Sequence, residues 1–281
     1  MSDIQNYTRE LNKEWVVARL PKRPKDANKG TFGKVLVIAG SENYPGSAYL
    51  SCAAAYRIGA GLVTLVTTPE VKIIVSRKLP ELTFISEPFE PQDYDVLLLG
   101  PGLGQKDETI KFIKKLLQKK LPKTVIDGDG LNILAKLDSW QIKDTVLTPH
   151  PGEMSRLTGL SIEEIQKDRE KVAADWANEW GQVVVLKGAN TAIASPTGKV
   201  KISPFANPAL ATAGTGDVLS GIIAGFIAQG LVPFDGACCA VYIHGLAGEM
   251  VKEKIGDGGM LASDLLPTVP LVLKSFYIPK Q

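Results

Sequence analysis

The chain has 281 residues, 44% of them hydrophobic and 22% charged, with a formal net charge of +2. That is enough apolar material for one large α/β domain or two small ones, and too slight a basic excess to argue for nucleic-acid or membrane partners. Cys52, Cys238 and Cys239 form neither a paired framework nor a metal-ligand spacing, and no stretch has the apolar core of a signal peptide or the roughly 20 apolar residues of a membrane span, so a cytoplasmic protein in a reducing compartment is expected.

Residues 1–20 predict an amphipathic helix with Leu11, Trp15, Val16 and Leu20 on one side, broken by the run from Pro21 to Lys29. A β-branched run at 35–39 reads as a strand buried on both faces, and a small-residue helix at 48–59 leads to a second strand at 62–67. The rhythm repeats: strand 96–99, helix 109–118, strands 124–126 and 145–147, helix 161–180 and strand 182–186. Such alternation predicts a mainly parallel sheet flanked by helices. The basic stretch 111–123 reads as a solvated helix face, because Ile110, Ile113, Leu116 and Leu117 fall at helical spacing. Between Thr191 and Phe205 two short stretches flank Pro196-Thr197-Gly198, the pattern of a β-hairpin. Apolar helices at 218–227 and 236–247 read as core, with Cys238, Cys239 and His244 as core side chains. No repeat, low-complexity tract or long linker divides the chain, so 1–281 reads as a single domain with 1–28 as an N-terminal helix and lead-in.

In open parallel sheets, ligands sit beyond the carboxyl ends of the strands. Those ends carry Gly40-Ser41 and the glycine-rich or polar stretches 100–104, 127–132, 148–153 and 187–191, which should gather along one edge. Ala213-Gly214-Thr215-Gly216 has little side chain to shield its backbone amides and feeds a helix whose first turn holds Asp217. Amides and macrodipole together suit an anion, such as a phosphate gaining charge during transfer. Standing alone, Asp217 would be an ordinary first-turn acid, Lys187 a solvated strand-end lysine, His150 an imidazole bonded to backbone and Glu153 a helix N-terminal acid.

Their order along the chain changes that reading. K-G-T-F-G-K before a strand and A-G-S, then Y-P-G-S-A, G-P-G-L-G, T-P-H-P-G-E-M-S-R-L, L-K-G-A-N-T and N-P-A-L-A-T-A-G-T-G-D-V-L-S-G resemble the ADP/ATP-dependent NAD(P)H-hydrate dehydratases of the ribokinase-like superfamily, over about residues 29–266. The resemblance implies a three-layer α/β sandwich with a mainly parallel central sheet. It implies an enzyme that restores NADH or NADPH from the S epimer of the hydrated dinucleotide, phosphorylating the ring hydroxyl from ADP or ATP and eliminating phosphate. By the same resemblance Asp217 is the general base, and Gly214, Thr215 and Gly216 form the anion hole, with the Thr215 hydroxyl an added donor. Gly46, Ser47, Gly102, Asn132 and His150 contact the hydrated substrate. Lys187, Gly188, Ala189, Asn190, Thr191 and Gly216 bind the nucleotide, and Glu153 holds Mg²⁺ directly or through water. Asp127 and Asp129 are further metal-side or turn candidates. A homo-oligomer such as a tetramer and a separate epimerase partner go with the family.

Four positions depart from the family pattern: Gly128 and Gly130 in place of alanines, Ala213 in place of the first glycine of the anion loop, and Asn28 in place of a histidine. Ala213 would cost about 1 kcal/mol if its backbone had to be left-handed. Two rival functions share the same loop and acid: a small-molecule kinase such as a hydroxyethylthiazole or pyridoxal kinase, which would keep a stable phosphorylated product, and a non-catalytic nucleotide-binding regulator, which needs no base.

Overall fold

A computed structural model describes residues 9–85 and 89–277. Among these, nine strands form one sheet: β1 (Lys34–Ile38), β2 (Leu62–Val66), β3 (Thr83–Phe84), β4 (Val96–Leu99), β5 (Lys123–Ile126), β6 (Thr145–Leu147), β7 (Val183–Leu186), β8 (Ala192–Ala194) and β9 (Val200–Ile202), in the order β3-β2-β1-β4-β5-β6-β7-β8-β9. The first seven are parallel, and β7-β8-β9 are antiparallel, the last two being the expected hairpin.

Because successive strand side chains point to opposite faces, the sheet buries two separate apolar sets. Val35, Val37, Val63, Leu65, Val96, Leu98, Val125, Val146, Val183 and Val185 face one core shared with helices Pro45–Arg57, Thr215–Ala228, Pro233–Ile255 and Ala262–Tyr277. Leu36, Ile38, Leu97 and Leu99 face the other side, against Ile113 and Leu116 of helix Asp107–Leu116. Val184 and Leu186 meet Met154, Ala173 and Ala177 on helices Pro151–Thr158 and Arg169–Trp180. Helices on both faces of a mainly parallel sheet give the expected ribokinase-like layering.

Several boundaries differ from the expectation. The helix expected over 1–20 is confined to Lys13–Val17 within the described part, and residues 1–8 lie outside it. Here Glu10 bridges Ile202, the Leu11 amide donates to Ile202 O at 2.8 Å and the Ile202 amide donates to Arg9 O at 2.9 Å, so the lead-in lies along the β9 edge. The helix expected over 161–180 is two, Ile162–Lys167 and Arg169–Trp180, because Asp168 leaves helical angles at φ −150 to cap the second through the Lys171 amide. Helices Pro69–Lys78, Asp129–Leu134 and Ala262–Tyr277 were not expected from the sequence. Among the described residues no helix is long and apolar enough to cross a membrane.

Candidate active site

Helix Thr215–Ala228 positions the acid. Its neighbour Pro45–Arg57 approaches so closely that a Cβ on Gly221 would lie 2.3 Å from Ser51 O and one on Gly225 2.2 Å from Ile58 Cγ2. Asp217 lies one turn before Gly221 on the same stripe, and Ser47 one turn before Ser51 on the facing helix. The packing register therefore brings the Ser47 hydroxyl onto the Asp217 carboxylate as a hydrogen-bond partner. Burial pushes the Asp217 carboxyl from 3.8 up to about 7, with the Asp127 charge adding to the rise and the Ser47 bond and Lys187 opposing it. Gly102 (φ +60) closes over the same place: a Cβ there would lie 2.7 Å from Ser47 Cβ. Ser41 Oγ donates to Gly102 O at 2.7 Å. Ser41 and Gly102 follow β1 and β4, the two strands between which the sheet order reverses, where open α/β sheets bind ligands.

The anion loop has the form expected, with one correction. Gly214 (φ +91) takes the left-handed position and caps the helix without a side-chain bond. Ala213 does not fall among the left-handed residues, so its departure from glycine carries no backbone penalty. The amides of Gly216 and Asp217 are first-turn donors with no intrahelical acceptor. The Thr215 hydroxyl is not such a donor: it gives its proton to Leu210 O at 2.8 Å or Thr212 O at 2.9 Å, tying the loop to the segment before it.

A second charge cluster joins the first at Gly216. Lys187 Nζ would be 3.4 Å from a Cβ on Gly216. It donates to Asp127 Oδ1 at 2.6 Å and lies 3.7 Å from Glu153 Oε2. Thr148 Oγ1 also donates to Asp127 Oδ1, at 2.7 Å. Asp127, Thr148 and Lys187 immediately follow β5, β6 and β7, three consecutive strands of the sheet, which is why residues 60 apart in sequence meet. Burial would lower the Lys187 pKa, yet Asp127, Glu153 and Asp217 hold it raised, so the ammonium stays charged. Burial raises the Glu153 carboxyl, against the pull of Lys187.

His150 caps helix Pro151–Thr158: its Nδ1 accepts from the amides of Gly152 at 3.0 Å and Glu153 at 3.3 Å, while Glu153 Oε2 accepts from the His150 amide at 2.8 Å. Since Nδ1 accepts, the neutral tautomer carries its proton on Nε2. Burial, then Lys187 and Arg156, lowers the His150 pKa. Asn132 is brought alongside but committed: its Oδ1 accepts from Arg156 Nε at 2.8 Å. Asp129 accepts from the Gly104 amide at 2.8 Å and so fixes the glycine-rich loop after β4. Among the described residues no group of three or more His, Cys, Asp or Glu side chains is placed to hold a metal ion. The carboxylates nearest the anion loop already accept from protein donors, Asp127 from Lys187 and Thr148 and Glu153 from the His150 amide, a set that fits Mg²⁺ held through water.

Beyond Gly216 opens a cavity of about 640 Å³. Lys187, Gly188, Ala189 and Thr191 line it, with His150 and Gly216. Asn190 (φ +51) instead turns its amide to Ser203 O at 3.1 Å and holds the hairpin exit. The far wall is apolar, built by Phe205, Pro208, Leu210 and Val241. His244 also lines the cavity. It is buried as expected of a core residue, kept neutral by burial with its pKa lowered to about 4, and its Nε2 lies 3.0 Å from Thr215 O. The sequence reading missed this support for the anion loop, and the only signal was its place one turn from Val241 and Gly248 on a helix rich in small residues.

The family description for NAD(P)H-hydrate dehydratase matches residues 35–271. The chain belongs to that family. It is 40% identical over 96% of its length to a bifunctional NAD(P)H-hydrate repair enzyme of Moorella thermoacetica, of which it covers 55%. The chain thus spans about half the length of the curated relatives it matches first. It is 34% identical to the ADP-dependent (S)-NAD(P)H-hydrate dehydratase of Bacillus subtilis, with 94% of this chain and 97% of that one covered. A crystal structure of the ADP/ATP-dependent NAD(P)H-hydrate dehydratase from Bacillus subtilis, co-crystallised with ATP and Mg²⁺, superposes with a TM-score of 0.87 at 34% identity, covering 95% of this chain and 98% of that one.

Proposed function

We propose that the protein dehydrates the S epimer of hydrated NADH and NADPH, using ADP or ATP to convert the ring hydroxyl into a leaving group. The observation that carries this reading is the position of Asp217, a half-buried carboxylate bonded by Ser47 on the Gly102 side and next in sequence to the Gly216 that borders the cavity. Nucleotide and substrate then approach one acid from two sides.

The nucleotide lies in the cavity with its phosphates toward Lys187 and the Gly216 and Asp217 amides. The substrate hydroxyl, set between Ser47 and Asp217, attacks the terminal phosphorus. Asp217 takes the hydroxyl proton as the bond to the nucleotide breaks, and a carboxyl raised to about 7 is a stronger base than an exposed one. The ring nitrogen then supplies the electron push that expels phosphate from the ring carbon, and the adjacent carbon gives up a proton to water, restoring the double bond. Magnesium, when bound, neutralises the phosphates, and Glu153 with Asp127 would hold it through waters. Lys187 supplies fixed positive charge, and donors of this kind are worth roughly 3–4 kcal/mol each in other oxyanion sites.

Mixing the protein with hydrated NADH, Mg²⁺ and ADP or ATP tests the reading through recovery of the near-ultraviolet absorbance of NADH. Asp217→Asn should lower the rate by about 10²–10⁴-fold, the usual worth of a general base, while ADP still binds. No recovery with either nucleotide overturns the proposal, and accumulation of a phosphorylated, undehydrated product would make the protein a kinase.

A further inference from the structure

Asn207 ends the hairpin segment and caps the short helix Pro208–Leu210, its Oδ1 accepting from the Ala209 amide at 2.9 Å. That bond fixes the side-chain orientation, because a flipped amide would set its NH₂ against the same N–H. Nδ2 is then buried with no acceptor among the described residues, and Asn207 lines the cavity. Buried donors in folded proteins are paired, so an unpaired one on a residue that lines a cavity marks where a ligand atom completes it. The wall around it, Phe205, Pro208 and Leu210, is uncharged, whereas the cavity's cation, Lys187, sits beside Gly216. The matching ligand atom is therefore a neutral acceptor on a largely apolar body, not a phosphate oxygen.

We propose that the Asn207 side-chain amide recognises the nucleoside half of the bound nucleotide, donating from Nδ2 to a base nitrogen or ribose oxygen; this rests on the nucleotide reading of the cavity. Asn207 thereby joins the nucleotide site from outside the 187–191 loop. The same segment carries Leu210 O, the acceptor of the Thr215 hydroxyl. A merely structural role for Asn207 would therefore disturb the anion loop and turnover, whereas a recognition role affects nucleotide affinity alone.

Asn207→Ser separates the two, since serine keeps the cap but has no Nδ2. ADP binding measured by calorimetry should weaken about tenfold, the worth of one ligand hydrogen bond, with kcat at saturating ADP and KM for hydrated NADH within about twofold of the parent. Repeating the titration with 2′-deoxy-ADP and with UDP separates ribose from base, because the loss vanishes for whichever analogue lacks the acceptor. Unchanged ADP affinity, or a fall in kcat at saturating ADP, overturns the assignment. A parent protein that binds no ADP at all sinks the nucleotide reading itself, an outcome distinct from a parent that binds and a variant that binds alike.

Discussion

Replacing Asp217 by asparagine should slow turnover about 10²–10⁴-fold and at the same time stabilise the fold, with a pH dependence that reports the burial. In the folded protein the carboxyl is raised from 3.8 to about 7, by burial first and the Asp127 charge second. On unfolding it returns to its ordinary value, so the native state is the poorer host for the ionised form. A raised acid contributes its full stability below about pH 4 and loses it as pH climbs to about 7. At about 1.4 kcal/mol per unit, the roughly 3 units between the two values set an upper bound of about 4 kcal/mol. Asparagine has no proton to lose and escapes this decline, although it gives up the charge that Lys187 and Ser47 favour. Urea denaturation should therefore show the variant more stable than the parent by about 2–4 kcal/mol at pH 8, and by about 1–2 kcal/mol at pH 5. A variant less stable than the parent at pH 8, or a difference that does not change with pH, would refute the argument that burial sets this acid.

Lys187→Met leaves Asp127 and Glu153 buried without their shared cation; stability should fall by about 3–5 kcal/mol at pH 8, and less at pH 5, where the raised Glu153 carboxyl takes up a proton, as urea titrations at the two pH values will show. At Gly130 a Cβ would lie 2.8 Å from Ile126 Cγ2 and 2.9 Å from Leu99 O, so Gly130→Ala should cost about 1–3 kcal/mol by overpacking. Gly128 has room, its nearest neighbour being 3.6 Å from a Cβ, but sits at φ +54 and ψ −122, outside the regions open to alanine; Gly128→Ala should cost about 1–3 kcal/mol from backbone alone, and thermal melts of both variants check the two costs. Gly245→Ala would place its Cβ 2.2 Å from the Phe205 ring and push that ring off the cavity wall, raising the calorimetric Kd for ADP about tenfold.

Much of the sheet was legible because most of its strands are short apolar runs bounded by glycine or polar residues, of the length and β-branched content of strands buried on both faces. What escaped were elements whose patterns argue against themselves. Helix Ala262–Tyr277 carries Pro267 and Pro270 in its interior, and helix Pro69–Lys78 leaves Ile73 and Ile74 exposed, so its apolar residues do not trace one face. At the site, the loops that the one-edge rule groups do meet, Asp127, Thr148 and Lys187 joining one another and Lys187 lying beside Gly216. Sequence offered no access to the pairing of Lys187 with Asp127, which depends on strand order, nor to the commitment of the Thr215 hydroxyl to Leu210 O, which depends on how the loop folds back. The unfamiliar Asn28 turns out to cap the Lys29–Phe32 turn through the Gly30 amide at 2.9 Å, a purely local task that any good capping residue performs.

The short pairing of Arg9 and Leu11 with Ile202 covers the end of one rim of the sheet, where an amide and a carbonyl would otherwise be open to a passing extended peptide. The opposite rim, β3, is two residues long and gives such a peptide little to grip. A chain trimmed past Leu11 would keep its candidate site residues and lose its protection against lateral growth, so clumping, ahead of unfolding, would be the first sign of damage at that end.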